Sequence, residues 1–267
     1  MAREVSSISR VGTSEPFELQ IARGQIAWHN PLFKFGNNAT VGNSLETIWA
    51  EGGLYSYLTA ATVLKVSSSS TNDTSAGTGA RTVQLYGLDG DYNEINELVT
   101  LNGQTAVNTT QSFLRINRMI VRSAGSGGVN AGVIYAGTGT VTTGVPANVY
   151  ASVNGVTGAN QSLMALWTVP AGYTAYLLQY DVSNGTSSQT PAVCKLILAV
   201  RPYGEVFQSK DVKSLTTGMH VEETFSLPQK ITEKSDIEVR AISSSASVSF
   251  DISAAFEIVY IKNGDTF

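Results

Sequence analysis

The sequence predicts an all-β protein: two tandem, jelly-roll-like β-sandwich domains behind an irregular N-terminal arm. Three observations carry this prediction. Short runs of alternating apolar and polar residues recur along most of the chain, separated by Gly, Asn, Asp, Ser and Pro clusters. No long stretch keeps the 3.6-residue spacing of a helix. The glycine-rich connection GTGTVTTGVPANVYASVNGVTGAN, residues 137–160, separates two bodies that share this grammar. The expected division is an arm at 1–40, a first sandwich at 41–146, a linker at 147–161 with its boundary near Pro146, and a second sandwich at 162–267.

The arm comes first. Met1–Glu15 is polar and weakly patterned. GQIAWHNPLFKFG then brings Trp28, Pro31, Leu32, Phe33 and Phe35 close together, with Pro31 arguing against helix or central strand. Such a segment needs a surface to lie on, either its own domain or a neighbouring subunit. Leu45–Tyr57 starts as a short helix or strand and stops at Gly52-Gly53. Thr62–Ser68 reads as a strand. Residues 67–80, SSSSTNDTSAGTGA, read as an exposed, mobile low-complexity loop.

Arg81–Leu88 and Tyr92–Leu101 are strands joined at Asp89-Gly90, and Asn102-Gly103 predicts a hairpin returning through Gln104–Val107. Phe113–Arg122 is a strand with imperfect alternation. It places Arg118 and Arg122 on one face and Arg115 on the other. Val133–Ala136 is a further short strand.

The second body opens on SLMALWTVPAGYTAYLLQY, residues 162–180. Ser162–Val169 and Thr174–Tyr180 read as a hairpin turned by Pro170-Ala171-Gly172, since proline presets one corner and glycine tolerates the next. Ala192–Val200, Val206–Lys210 and Met219–Leu227 are strands. Asp236–Ile242 puts Ile237, Val239 and Ala241 on one face and Glu238 and Arg240 on the other. Phe250–Ile261 alternates throughout, with Phe250, Ile252, Ala254, Phe256, Ile258 and Tyr260 on its core face.

Composition narrows the function classes. Of 267 residues, 42% are hydrophobic and only 14% charged, against about a quarter charged in typical domains. Ser, Thr, Asn and Gly replace charge on the surface. The 17 Lys and Arg against 21 Asp and Glu leave a net charge of −4. With no basic run, nucleic acid and anionic membrane are not expected partners. Cys194 is the single cysteine, read as a small buried residue. The segment MAREVSSISRVG lacks the apolar core of a signal peptide, and no apolar run reaches the roughly 20 residues of a membrane span. Folding in a cytoplasm is the expectation.

Candidate chemistry is sparse. His29 and His220 lie far apart, neither beside a second ligand at metal spacing. Asp89, Asp91 and Asn93 open like a calcium loop, but Glu94 and Thr100 stand where glycine and an acid are required, so a polar turn is preferred. Glu222-Glu223 and Glu233 with Asp236 read as solvated acids rather than a glycosidase pair. Arg115, Arg118 and Arg122 read as solvated or ion-paired surface, with a contact to an acidic neighbour second. Neither a cofactor nor an enzymatic activity is expected.

The stretches ETIWAEGGLYSYLTAATVLKVSSSSTNDTS, GLDGDYNE, VTLNGQTAV, FLRINR, WTVPAGYTAYL, VRPYGEVF and KITEKSDIEVRA resemble a group of virion structural proteins of marine tailed bacteriophages. The resemblance runs from about Glu46 to Ala241 and rests on turns and strands, so no functional residue is carried over. It implies a β-rich head or tail component. The expected role is a capsid decoration (cement) protein, assembled in the host cytoplasm and residing in the virion. Its partners would be the major capsid protein or other virion proteins, with a homotrimer favoured. Trp28, Pro31, Leu32, Phe33, Phe35, Arg118 and Arg122 are the candidate interface. The alternatives are a double-jelly-roll major capsid protein, a tail or neck component, or a carbohydrate-recognising receptor-binding module using Tyr55, Tyr57, Tyr92 or Tyr203.

Overall fold

The computed structural model describes residues 15–155, 158–186, 188 and 190–264; the weakly patterned segment 1–14 lies outside them. A single turn of helix, α1 (Phe17–Ala22), precedes β1 (His29–Val41) and β2 (Glu46–Thr47). Seven strands follow: β3 (Thr62–Ser68), β4 (Ala80–Leu88), β5 (Glu94–Thr100), β6 (Val107–Phe113), β7 (Arg115–Ala124), β8 (Ile134–Thr142) and β9 (Val145–Val153). The last seven are β10 (Leu166–Thr168), β11 (Tyr173–Gly185), β12 (Val193–Arg201), β13 (Gln208–Thr216), β14 (His220–Ile231), β15 (Asp236–Ser243) and β16 (Phe250–Lys262). The protein is all-β, in small antiparallel sheets.

Four sheets gather around two apolar cores. Sheets β6-β3-β8-β9 and β5-β4-β7 share one core, in which Leu64, Val66, Ile134 and Val153 meet Val83, Leu85, Ile116 and Met119. Sheets β1-β16-β11-β14 and β10-β15-β12-β13, the latter with β2 also on β15, share the other. There Leu177, Val182, Phe250 and Phe256 meet Leu196, Leu198, Ile237 and Val239. The alternation read in β15 and β16 is present: Ile237, Val239 and Ala241, and Phe250, Ile252, Ala254, Phe256 and Ile258, all enter this core.

Several expectations are corrected. The arm is not irregular throughout: β1 pairs with β16 from His29↔Ile261 to Val41↔Phe250. It belongs to the C-terminal sheet because alternate residues complete that core, with Leu32 and Val41 packed into it. Gly36 makes the path possible, since a Cβ there would collide with the Ala165 backbone nitrogen and the Ile48 carbonyl. The linker expected at 147–161 is, as far as Val153, strand β9, and Pro146 pairs with Val141 of β8.

Two expected hairpins do not form. Strand β10 pairs with β15, whereas β11 pairs with β14 and β16. The Pro170–Gly172 turn therefore carries the chain across a core, with Trp167 and Val169 on one side and Ala175 and Leu177 on the other. Asn102-Gly103 likewise leads from β5, paired with β4, to β6, paired with β3. The turn geometry is as expected, with Gly103 at φ 61°, but the strands it joins lie in different sheets.

The loop at 67–80 is not a mobile tether either. It closes around buried Asp73, whose Oδ1 accepts from the N–H groups of Ala80 at 2.7 Å and Ala131 at 2.8 Å. Its Oδ2 accepts from the Ser68 hydroxyl at 2.5 Å and the Gly132 N–H at 2.9 Å. The imperfect alternation of 113–122 has a physical origin as well. A bulge between the β4 pairings of Ile116 and Arg118 inserts Asn117 as an extra residue, so Phe113, Ile116 and Met119 reach one core.

Glu46 ties β1 to the turn after β2. Its Oε1 accepts from the Gly42 N–H at 2.8 Å. Its Oε2 accepts from the Asn38 amide at 2.9 Å and the Gly53 N–H at 2.9 Å. Burial opposes its charge, but the Gly42 and Gly53 N–H groups and the Asn38 amide outweigh it and hold the carboxyl below its ordinary 4.5. A depressed carboxyl stabilises the fold above its unfolded value and loses that contribution as pH falls through the folded value. Glu46→Gln is therefore expected to cost roughly 1–2 kcal/mol at neutral pH, solvent screening included. In urea titrations, the gap between variant and wild type should narrow as pH drops below 4.5.

Candidate functional site

The alternation of β15 has a second consequence. While Ile237, Val239 and Ala241 face the core, Asp236, Glu238 and Arg240 share the opposite face. That face is not solvated. Asp236 is 2% exposed and Glu238 0%, because strands and loops of the neighbouring sheets close over it. The reading of Asp236 as a solvated acid is thus corrected. Its companion Glu233 accepts from the Gly172 N–H at 2.6 Å.

Asp236 joins three strands. Arg115 of β7 donates to it from Nε at 2.9 Å and Nη2 at 3.3 Å. Arg201 of β12 donates from Nε at 2.9 Å and Nη2 at 2.5 Å, and the Thr168 hydroxyl of β10 lies at 2.5 Å. Two residues on, Glu238 accepts from the Tyr57 hydroxyl at 2.9 Å and from Arg240 Nε. Burial raises the Glu238 carboxyl above its ordinary value, with Arg240 and Tyr57 pulling the other way. Burial also pushes the Tyr57 phenol well up.

The guanidinium groups are layered with rings. Arg115 and Arg201 lie 4.9 and 4.4 Å from the Tyr57 centroid. Arg201 and Arg240 lie 4.7 and 4.0 Å from that of Phe207. The arrangement holds two bodies in one relative position through a fixed, desolvated charge network. Sequence reasoning missed it, although a D-x-E-x-R pattern on the back of an apolar strand face was its visible signal.

The candidate interface residues fall into two groups. Pro31, Phe33 and Phe35 lie on the outer face of β1, opposite buried Lys34, and the Phe33 and Phe35 rings are 5.7 Å apart. Phe33 is 51% exposed. Val259 and Ile261 of β16 and Tyr176 and Leu178 of β11 continue this face, and with Phe17 and Ile21 of α1 they line a groove of about 600 Å³. Leu32 turns inward instead. Trp28 is exposed at φ 65°, with the Lys262 ammonium 4.6 Å from its ring.

Arg118 is not a solvated surface residue but a tie between β7 and β1, donating to the Phe33 carbonyl at 2.6 Å. Arg122 donates to the Tyr86 hydroxyl. Of the tyrosines considered for sugar stacking, Tyr55 is buried and Tyr57 belongs to the charge network, while Tyr203 is open and packs on Tyr92 at 5.7 Å.

Asp89 spends its carboxylate on its own turn: Oδ1 accepts from the N–H groups of Asp91 and Asn93, each at 2.9 Å, and Oδ2 from the Asn93 amide at 3.2 Å. Among the described residues, no group of three or more His, Cys, Asp or Glu side chains is placed to hold a metal. His220 Nε2 lies 4.0 Å from Asp181, and the His29 ring packs edge-on against Phe17 at 6.2 Å. Cys194 is buried, which pushes its thiol up to about 11. No helix among the described residues is long and apolar enough to cross a membrane.

Comparison with protein-family models and with curated proteins finds no match. Among solved structures, that of the infectious bursal disease virus Gx strain is similar at 11% identity and a TM-score of 0.25, over 89% of this chain and 71% of that one. The VP2 subviral particle of infectious bursal disease virus is similar at 12% identity and a TM-score of 0.25, over 90% and 74%.

Removing one member of a buried ion pair leaves an uncompensated charge, which costs roughly 3–5 kcal/mol. Asp236→Ala strands buried Arg115 of β7 without a carboxylate and is expected to destabilise the protein by that amount in chemical denaturation. Arg122→Ala, on the exposed side of the same strand, should change stability by less than about 0.5 kcal/mol.

Proposed function

We propose that this chain is a structural component of a virus particle, without catalytic activity, and most specifically a capsid decoration protein. The observation that carries the reading is the open apolar outer face of β1, β16 and β11. Pro31, Val259 and Tyr176 stand side by side across the three strands, Phe33 follows along β1 with the exposed Glu257 of β16 opposite it, and the exposed Trp28 precedes β1. Apolar surface rimmed by polar residues marks contact with other protein.

The strand orders add support. Sheets β1-β16-β11-β14 and β10-β15-β12-β13 enclose one core, and the chain passes repeatedly from one to the other, as in a jelly roll. Strands β3 to β9 form a second body inserted between β2 and β10. The protein is thus read as one sandwich interrupted by another, rather than two in tandem. The sequence resemblance to phage virion proteins points to the same role. A decoration protein acts by linkage: contacts available only on the mature shell stabilise that state by mass action. A closed trimer is the favoured assembly, and the major capsid protein the favoured partner. The jelly-roll strand order also suits a major capsid subunit, which is the second reading.

Deleting the arm would remove β1 from its sheet, so a surface substitution is the sharper test. In sedimentation velocity the wild-type chain should form a trimer and bind empty expanded capsids. Phe33→Asp should be monomeric and non-binding, with unchanged circular dichroism. A wild-type protein that stays monomeric and ignores capsids would overturn the proposal.

A further inference from the structure

A cleft of about 450 Å³ opens between the two bodies, and the particle role does not account for it. Lys34 and Arg118 line it, together with Tyr86, Asn96, Trp167 and Tyr260. Lys34 is 2% exposed. Its ammonium donates to the Asn117 carbonyl and, among the described residues, has no other acceptor and no carboxylate partner. Arg118 donates to the Phe33 carbonyl and likewise has no ion-pair partner among the described residues. Burial, and then the charge of Arg118, weaken the hold of Lys34 on its proton.

Buried Arg115 and half-buried Arg240, by contrast, each meet a carboxylate. Two adjacent cations that make no ion pair, one of them desolvated, favour an anionic group that joins them. We propose that this cleft is a binding site for a small, ring-shaped carboxylate, an acidic sugar unit. The ligand's carboxylate bridges Lys34 and Arg118. Its ring lies among Tyr86, Trp167 and Tyr260. The Asn96 amide meets its hydroxyls, as does the one carboxylate of the cleft, Glu94, which accepts from the Tyr260 hydroxyl at 3.2 Å. The volume falls within the roughly 300–1,000 Å³ of small-ligand sites. This inference stands apart from the particle role, which concerns the outer face of β1.

The test is isothermal titration of the full chain with sodium glucuronate, and separately with glucose and with inorganic phosphate. Glucuronate should bind saturably and at least about tenfold more tightly than either control, a difference of about 1.4 kcal/mol. Arg118→Gln, checked for folding by circular dichroism, should weaken glucuronate by about tenfold or more. Lys34→Met should abolish binding while keeping or raising the melting temperature, because it removes an unmatched buried charge. Absence of saturable glucuronate binding would overturn the proposal. So would glucose binding equally well, which makes the carboxylate irrelevant, or phosphate binding equally well, which makes the rings irrelevant. Unchanged affinity in Arg118→Gln would also overturn it.

Discussion

The Asp236 carboxylate is where the two bodies of this protein meet. It sits at the start of β15, and its partners come from β7 of one body and from β10 and β12 of the other. Desolvated charge of this sort adds little net stability over an apolar contact of equal volume. What it does is penalise every alternative arrangement, since a shift of one body strands a carboxylate or a guanidinium without water. The stacked rings of Tyr57 and Phe207 reinforce this, because a guanidinium held between flat surfaces has one orientation. The relative position of the bodies is thereby set by chemistry rather than by linker length.

Chain order and spatial order diverge for a related reason. Strand β1 joins the chain's last strand, β16, although more than two hundred residues separate them. Strands β3 to β9 are completed between β2 and β10. Each of the four sheets is open and keeps at least two outer strands, and free edges are where sheets associate wrongly. Strands β13 and β14 remain at sheet margins. Leu227 of β14 is 79% exposed and is followed by Pro228, in a segment that bulges away from β11. A bulge and a proline blunt that edge against unplanned pairing.

The proposed particle role and the proposed ligand cleft use different parts of this frame. The former draws on the outer face of β1, β16 and β11, where Pro31, Phe33, Tyr176 and Val259 line a groove beside α1. The latter draws on the inner side of β1, where alternation sends Lys34 toward the other body. One strand therefore presents rings to the outside and a charge to the seam, as the period of two requires.

The sequence by itself determined the class of the protein and much of its local structure. Alternation in Asp236–Ile242 and Phe250–Ile261 placed the core faces, because side-chain direction along a strand is a local property. Turns at Gly103 and Gly172 were legible because positive φ favours glycine. What only the tertiary structure decided was which strands pair, and what covers a polar face. Pro170–Gly172 and Asn102-Gly103 fix a change of direction, not whether the chain returns in the same sheet or crosses the core. Asp73, Asp236 and Lys34 read as ordinary surface residues in one dimension, since burial of a charge depends on segments that arrive from far along the chain. Pairing and desolvation are properties of distant contacts, and no local pattern contains them.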